Sequence, residues 1–305
     1  MIAKFNQIKN EIIGYMNGRI LVIYQKLRTK DFASDKKITI NLWGEVVKIP
    51  INHRLPLYSF LYKNYSTNLR RMSAYINSKY KNFTAIDVGA NIGDSAILIR
   101  QGSNASIVCV EGDKKYVEIL KSNLSKKKKI KIINAFVGEK ASTFKGALSK
   151  KDGTGYLDTN HAGVKLKIQT LDKIVNTNIG NKIKLLKIDT DGFDGKVIRG
   201  ALRIILQNNP IIFFEFHESM YASTGDSTYK VLKYLHGMGY GSFLIYDNFG
   251  KLLRGLRIKL TLKRYAFDKM FTYVGENYYD IVAFHDSDLD LYRHSLKSER
   301  KYFNK

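Results

Sequence analysis

The chain has 305 residues, 44% of them hydrophobic and only 3 of them proline, which is enough to bury one large core, or one core with a smaller appendage. Its 51 Lys and Arg against 27 Asp and Glu leave a formal charge of +24, which points either to a polyanionic neighbour (nucleic acid, anionic lipid or a phosphorylated glycan) or to a compositional bias with no ligand behind it. A single cysteine, Cys109, excludes an internal disulfide, and no window approaches 18 apolar residues, so neither a disulfide scaffold, a secretion signal nor a membrane span is expected and the cytoplasm is the expected location.

Residues 1–80 read as an extension made of helix, hairpin and helix. Phe5, Ile8, Ile12, Met16, Ile20, Ile23 and Leu27 recur at three- and four-residue steps, one face of an amphipathic helix with Lys9, Arg19 and Lys26 among its polar positions. Such a helix packs on the main domain, packs on a second copy of the chain in a homo-oligomer, or lies on an anionic membrane surface. "ITINLWGEVVKIPI", residues 38–51, alternates on both sides of Trp43-Gly44 and predicts a β-hairpin. His53 follows it, either near the main site or simply at the hairpin-helix junction.

Residues 81–290 read as one α/β domain. "FTAIDV", "SIVCVE", "IKIINAF", "IKLLKID" and "IIFFEFH" are β-rich runs, with helical segments near 93–101, 113–124, 195–207 and 227–238. This alternation implies parallel strands, right-handed crossovers and helices on both faces, a doubly wound sheet. Residues 137–172 interrupt it with glycine-rich, weakly β-like sequence expected to form a small hairpin. "YGSFLIYDNFGKLL" and "YYDIVAF" end the domain as an antiparallel pair. Between them Lys251, Arg254, Arg257, Lys259, Lys263 and Arg264 form a solvated basic face or a binding surface, and residues 291–305 read as a basic tail.

In open α/β sheets ligands sit beyond the carboxyl ends of the strands, where strand order reverses. Asp87 closes the first strand, and Gly89, Ala90, Asn91 and Gly93 form its exit loop. Glycine allows positive φ and close ligand approach, and a following helix N-terminus offers N–H groups, so the loop is expected to take a polar ligand with an anionic group. Asn91 stands where a dinucleotide fingerprint needs glycine, which argues against a diphosphate. The next strand ends in Glu111, placed to accept hydrogen bonds from ribose hydroxyls, followed by Gly112 and Asp113; capping of the next helix is the alternative for these acids. A nucleoside bearing an amino-acid carboxylate in place of a diphosphate satisfies the set, and S-adenosylmethionine is such a molecule. Asn134, at the end of the third strand, meets the adenine edge or closes a strand-end turn.

The motifs "AIDVGANIGDSA", "VCVEGD", "INAFVGE", "QTLDKI", "LLKIDTDGFDGKVIRGA", "PIIFFEF" and "IYDNFG" resemble, in order, those of FkbM-type S-adenosylmethionine-dependent methyltransferases over about 83–250. The resemblance implies a seven-stranded, mostly parallel Rossmann-like sheet with an antiparallel last strand. It also implies cofactor contacts from Asp87, Gly89, Asn91, Gly93, Asp94 and Glu111, and O-methylation of sugars in bacterial polysaccharide or lipopolysaccharide, with a glycan or glycolipid acceptor. Many members have glutamate where this chain has Asp191.

Methyl transfer to a hydroxyl needs positioning and a base within reach. Asp189 ends the fourth strand, while Glu215 and His217 share one face at the end of the fifth, with Phe214 and Phe216 on the other. His217 suits proton removal or a structural hydrogen bond; Asp189 suits a substrate or cofactor contact or a loop cap. Asp189, Asp191 and Asp194 resemble part of a calcium loop but lack its distal glutamate, so no metal is expected. A nucleic-acid methyltransferase lacks its amino-methylation signature here and is the weaker reading. A noncatalytic binding protein is weaker still, since both cofactor loops look intact.

Overall fold

The computed structural model describes residues 36–145, 147–151, 154–158, 165–175, 182–258 and 278–304. The expected N-terminal helix and the basic positions Lys259, Lys263 and Arg264 lie outside them. The chain divides into two compact units, residues 1–63 with 150–154, and residues 64–149 with 155–305.

In the first unit, β1 (Lys37–Leu42) and β2 (Glu45–Pro50) pair antiparallel with Leu42 opposite Glu45, which leaves a two-residue turn. Trp43 has φ 52° and Gly44 φ 82°, the pair of left-handed residues that matches the twist of a hairpin. A short helix, α1 (Leu55–Leu61), follows, and the Nδ1 of His53 accepts from the N–H of Leu55 at 3.2 Å. His53 therefore serves the hairpin-helix junction.

The second unit runs α2 (Thr67–Lys79), β3 (Thr84–Val88), α3 (Asp94–Gly102), β4 (Ser106–Glu111), α4 (Lys114–Leu124) and β5 (Ile130–Asn134). After the short strands β6 (Phe136–Val137), β7 (Ser142–Lys145), β8 (Ala147–Lys151), β9 (Thr154–Asp158) and β10 (Lys165–Gln169), of which residues 150, 151 and 154 are counted with the first unit, come α5 (Leu171–Ile174), β11 (Ile183–Ile188), α6 (Asp194–Arg199) and α7 (Leu202–Asn208). It ends with β12 (Ile211–Phe216), α8 (Glu218–Ser223), α9 (Thr228–Gly237), β13 (Tyr240–Asp247), β14 (Leu252–Arg257), β15 (Tyr279–His285) and α10 (Leu289–Phe303). The main sheet has eight strands in the order β14-β13-β15-β12-β11-β3-β4-β5. β5, β4, β3, β11 and β12 are parallel, and β15 enters antiparallel between β12 and β13. The doubly wound sheet and its antiparallel ending are thus as the sequence predicts, and order reverses between β3 and β11. Residues 136–169 give more than one hairpin: a three-stranded sheet β6-β10-β7 and a β8-β9 ribbon.

Three boundaries differ from expectation. The helix before residue 80 belongs with the sheet, because α2 packs on α3 with the Ser73 hydroxyl donating to Ile99 O at 2.9 Å and Gly102 too close to the Arg70 carbonyl to tolerate a Cβ. Part of the basic stretch is an eighth strand, β14, with Arg254 opposite Ile245. Most of the basic tail is α10, whose Leu291, Tyr292, Ser295 and Glu299 are buried while its Lys and Arg face outward. Glu299 forms a two-pronged ion pair with Arg71 of α2 at 2.7 and 2.9 Å and also accepts from the Tyr75 hydroxyl. A buried pair with this many partners fixes register between the two helices.

Candidate active site

Register alone assembles the site. On β3, β4, β11 and β12, Asp87, Cys109, Lys187 and Phe213 stand side by side as neighbours on one face. Two residues further along each strand, the same face presents a second row at the carboxyl rim: Asn134 opposite Glu111, then Gly89, Asp189, and Glu215 opposite Asp280 of β15. Because β15 runs the other way, its beginning meets the ends of the parallel strands. Glu215 and His217 leave the core face to Phe214 and Phe216, which are buried in the main cluster.

Lys187 is the centre of the lower row. Its ammonium lies 3.3 Å from Asp87, 3.3 Å from Asp189 and 3.2 Å from Gly89 O, which it donates to. These anions overcome the burial that opposes its charge and raise its pKa. Asp87 is fully buried and accepts from the Ser95 hydroxyl at 2.5 Å. It thus acts from beneath the loop, tying β3 to α3 and β11.

The exit loop of β3 is held mainly by its own neighbours. The N–H groups of Gly89 and Ala90 donate to Val110 O, that of Asn91 to the Glu111 carboxylate at 2.9 Å, and that of Gly93 to Ala90 O. The expectation that this loop presents free N–H groups to an anion is therefore corrected at these four positions. Gly89 (φ 73°) is required because a Cβ would lie 1.9 Å from Asp189 O. Gly93 and Gly112 are required by packing, against Leu120 and the Phe136 ring respectively. Ala90 and Gly93 are buried, whereas Gly89, Asn91, Asp94, Glu111 and Gly112 are half-buried and Asn134 is exposed.

Glu111 links two loops. Its second oxygen accepts from the N–H of Asp113 at 2.8 Å, and each oxygen keeps a further lone pair. Asp113 caps α4 through Lys115 N at 2.8 Å, and the Asn134 amide donates to Glu111 O and Gly112 O, so the capping and turn readings hold for these two side chains.

Across the switch point, Asp189 is half-exposed and paired with Lys187. His217 begins α8, with its ring stacked on Tyr278 at 6.3 Å between centroids. Tyr278 is hydrogen-bonded to Tyr65, which precedes α2 and lies close enough to Asp94, Asp189 and Glu215 to feel their charge. The Asn68 amide holds Asp280 at 2.7 Å. The sequence reading missed Lys187, Tyr65, Asn68, Tyr278 and Asp280. Lys187, like Lys184, was detectable as a charge inside a buried, mostly apolar strand, and Asp280 as an acid near the start of an antiparallel strand. Tyr65 and Asn68 carry no local signal.

The carboxylates crowd one another. Burial, followed by the neighbouring negative charges, raises Asp194 to about 7 and Asp191 to about 8 and holds Glu215 well above the usual carboxylate range. Burial is also the main cause at Asp94, raised to about 6, and at Asp280, raised to about 7. Asp191 is left-handed (φ 50°), followed by Gly192 (φ 90°) beneath the Met220 backbone. Asp194 turns back to accept from Thr190 N and its hydroxyl at 3.3 and 3.1 Å. Among the described residues, no group of three or more His, Cys, Asp or Glu is arranged to hold a metal ion.

A site with one lysine among so many carboxylates selects a ligand with positive charge and hydroxyl donors. The sulfonium, α-ammonium and ribose hydroxyls of S-adenosylmethionine match that chemistry, and Glu111 and Asn91 are half-buried where the β3 and β4 exit loops meet.

This sheet order, with its reversal between β3 and β11, is Rossmann-like. The FkbM methyltransferase domain model matches residues 87–241, just over half of the chain, and the chain belongs to the FkbM methyltransferase family, with S-adenosylmethionine as its cofactor. Among solved structures, the chain is 14% identical to the FkbM methyltransferase from Methylobacillus flagellatus KT, with a TM-score of 0.42 over 67% of this chain and 44% of that one. It is 12% identical to the precorrin-6y C5,15-methyltransferase from Geobacter metallireducens GS-15, with a TM-score of 0.37 over 71% and 87% of the two chains. It is also 12% identical to the TehB-like SAM-dependent methyltransferase from Corynebacterium glutamicum ATCC 13032 Kitasato, with a TM-score of 0.38 over 71% and 88%. The chain thus spans less than half the length of the Methylobacillus protein. No curated protein matches it. Among the described residues, no helix is long and apolar enough to cross a membrane.

Proposed function

We propose that this methyltransferase acts on a sugar hydroxyl of a bacterial surface polysaccharide or of its lipid-linked precursor. The observation that supports this reading is the second half of the rim. Once Glu111 and the β3 loop are assigned to the cofactor, Asp189, Glu215 and Asp280 remain beside Tyr65, Tyr278 and His217. Carboxylates that accept hydrogen bonds, next to aromatic rings, suit a polyol. Bound S-adenosylmethionine supplies an electrophilic methyl group. The chain's own residues orient the acceptor hydroxyl, exclude water and take up its proton, for which His217, Glu215 and Asp189 are the candidates. Methyl-labelled cofactor incubated with surface glycan, lipid-linked glycan and RNA tests the reading, together with the mass of surface polysaccharide from cells with and without the gene. One methyl's mass lost with the gene supports it; label in RNA overturns it.

The raised carboxylates give a pH prediction. A carboxylate raised in the fold contributes stability that is complete below its unfolded value of about 3.9 and is lost as pH rises through the folded value. For Asp94, Asp194, Asp280 and Asp191, that loss extends through about 6, 7, 7 and 8 respectively. A cationic ligand favours the ionised forms and reverses the trend. S-adenosylmethionine should therefore bind about tenfold or more tightly at pH 8.5 than at pH 6, one returned unit being worth tenfold. S-adenosylhomocysteine, without the sulfonium, should show a shallower slope. Equal slopes in calorimetry for the two would remove the electrostatic reading.

A further inference from the structure

The two ends of the parallel strands carry opposite charge among the described residues. The carboxylates described above crowd the edge where the parallel strands end. At the opposite edge, Lys81 precedes β3, Lys126, Lys128 and Lys129 precede β5, Lys131 lies on β5, and Lys182 precedes β11, all of them exposed. Backbone bonds draw these approaches together: Ile107 N donates to Lys129 O at 2.9 Å, Ser106 N to Phe83 O at 3.0 Å and Thr84 N to Lys182 O at 3.0 Å. The carboxylates on this edge lie towards β15. Buried Asp288 and exposed Asp290 are matched by Lys79, Lys184 sits 3.7 Å from Asp288, and Asp286 is exposed beyond them. The six lysines make no ion pair with any of them.

We propose that this lysine edge docks the protein on an anionic lipid surface. Like charges gathered without counterions among the described residues repel one another, and a polyanionic partner turns that cost into attraction. The chemistry of the patch selects the partner. It offers ammonium point charges rather than guanidinium forks, since Arg100 donates to Ala105 O. Among the described residues beside it, Phe83 is buried and the Tyr80 ring is already faced by the ammonium groups of Lys184 at 4.6 Å and Lys79 at 5.4 Å, which leaves neither ring to stack a base. A diffuse lysine patch is what a layer of lipid phosphates attracts, at about tenfold or less per residue. Strands of five or six residues separate the two edges by about 17–20 Å, more than two Debye lengths at physiological salt. Docking therefore turns the acidic mouth away from the lipid and leaves the cofactor site electrostatically undisturbed. This inference does not depend on the acceptor being a sugar.

The test is sedimentation of the full chain with vesicles of phosphatidylcholine containing about one third phosphatidylglycerol. Lys126→Ser/Lys128→Ser/Lys129→Ser should lower partitioning on the order of 100-fold and leave cofactor affinity unchanged. A control with the same loss of charge elsewhere, Lys230→Ser/Lys233→Ser/Lys251→Ser, should lose far less. Both variants keep residues 1–35, so binding driven by that segment would leave the first variant unchanged and overturn the proposal. Equal losses in the two variants would assign the attraction to net charge alone. Tighter, patch-dependent binding to RNA than to the vesicles would replace the lipid with nucleic acid. Circular dichroism and cofactor affinity of each variant establish that it is folded.

Discussion

Replacing Glu111 by alanine should weaken S-adenosylmethionine binding by roughly 30- to 1000-fold, the equivalent of two charge-assisted hydrogen bonds at about 1–2 kcal/mol each. The structure gives this side chain a second duty that must be separated from the first. Its two oxygens already accept from the N–H groups of Asn91 and Asp113, so the carboxylate also holds the β3 and β4 exit loops together. Loss of loop order alone would weaken any ligand of the site to the same degree. A cofactor analogue lacking the ribose hydroxyls discriminates between the two duties. If Glu111 accepts from the ribose, the analogue binds less tightly than S-adenosylmethionine to the wild type and equally to Glu111→Ala. If the carboxylate only braces the loops, the discrimination persists in the variant and the ribose assignment fails. Calorimetry of the four combinations gives the coupling directly.

What was legible in the sequence follows the range over which each signal acts. Trp43-Gly44 between alternating runs announced its hairpin, because two left-handed residues and the β-alternation are all local. The parallel strands were legible because buried strands read as apolar runs, and Glu215 with His217 opposite Phe214 with Phe216 follows from period 2. The loop's destiny was not. Its glycines suggested open N–H groups, yet a Val110 carbonyl and the Glu111 carboxylate from the neighbouring strand take those of Gly89, Ala90 and Asn91. Helix α10 was hidden by its outer face: the Lys and Arg residues dominate the composition, while Arg71, the partner of buried Glu299, lies 228 residues away. Asp280 and Tyr65 reach the site only through tertiary contacts. The fold and the β3 and β4 exit loops are thus written in local pattern, and the β11, β12 and β15 half of the rim in long-range pairing.

For the acceptor proposed above, that long-range pairing separates the candidates for taking up its proton. Asp189 is the weakest of the three candidates, since it is half-exposed and paired with Lys187, which favours a positioning contact. Asp189→Asn should therefore act mainly through the acceptor's KM. Glu215 is held in its protonated form to higher pH by burial and by Asp189, Asp194, Asp191 and Asp280, in that order. Protonated, it is able to donate a hydrogen bond; ionised, it is able to accept a proton. His217 lies two residues beyond Glu215, just past the end of β12, with its ring against Tyr278. Loss of the general base should lower kcat by about 10²- to 10⁴-fold, with cofactor affinity largely kept. The pH profile assigns it. If His217 is the base, the rising limb of kcat disappears in His217→Ala and remains in Glu215→Gln. If Glu215 is the base, the limb lies well above the ordinary carboxylate range, survives His217→Ala and disappears in Glu215→Gln. Should Asp189→Asn, Glu215→Gln and His217→Ala all turn over at the wild-type rate, the acceptor does not sit on the β11, β12 and β15 side of the rim.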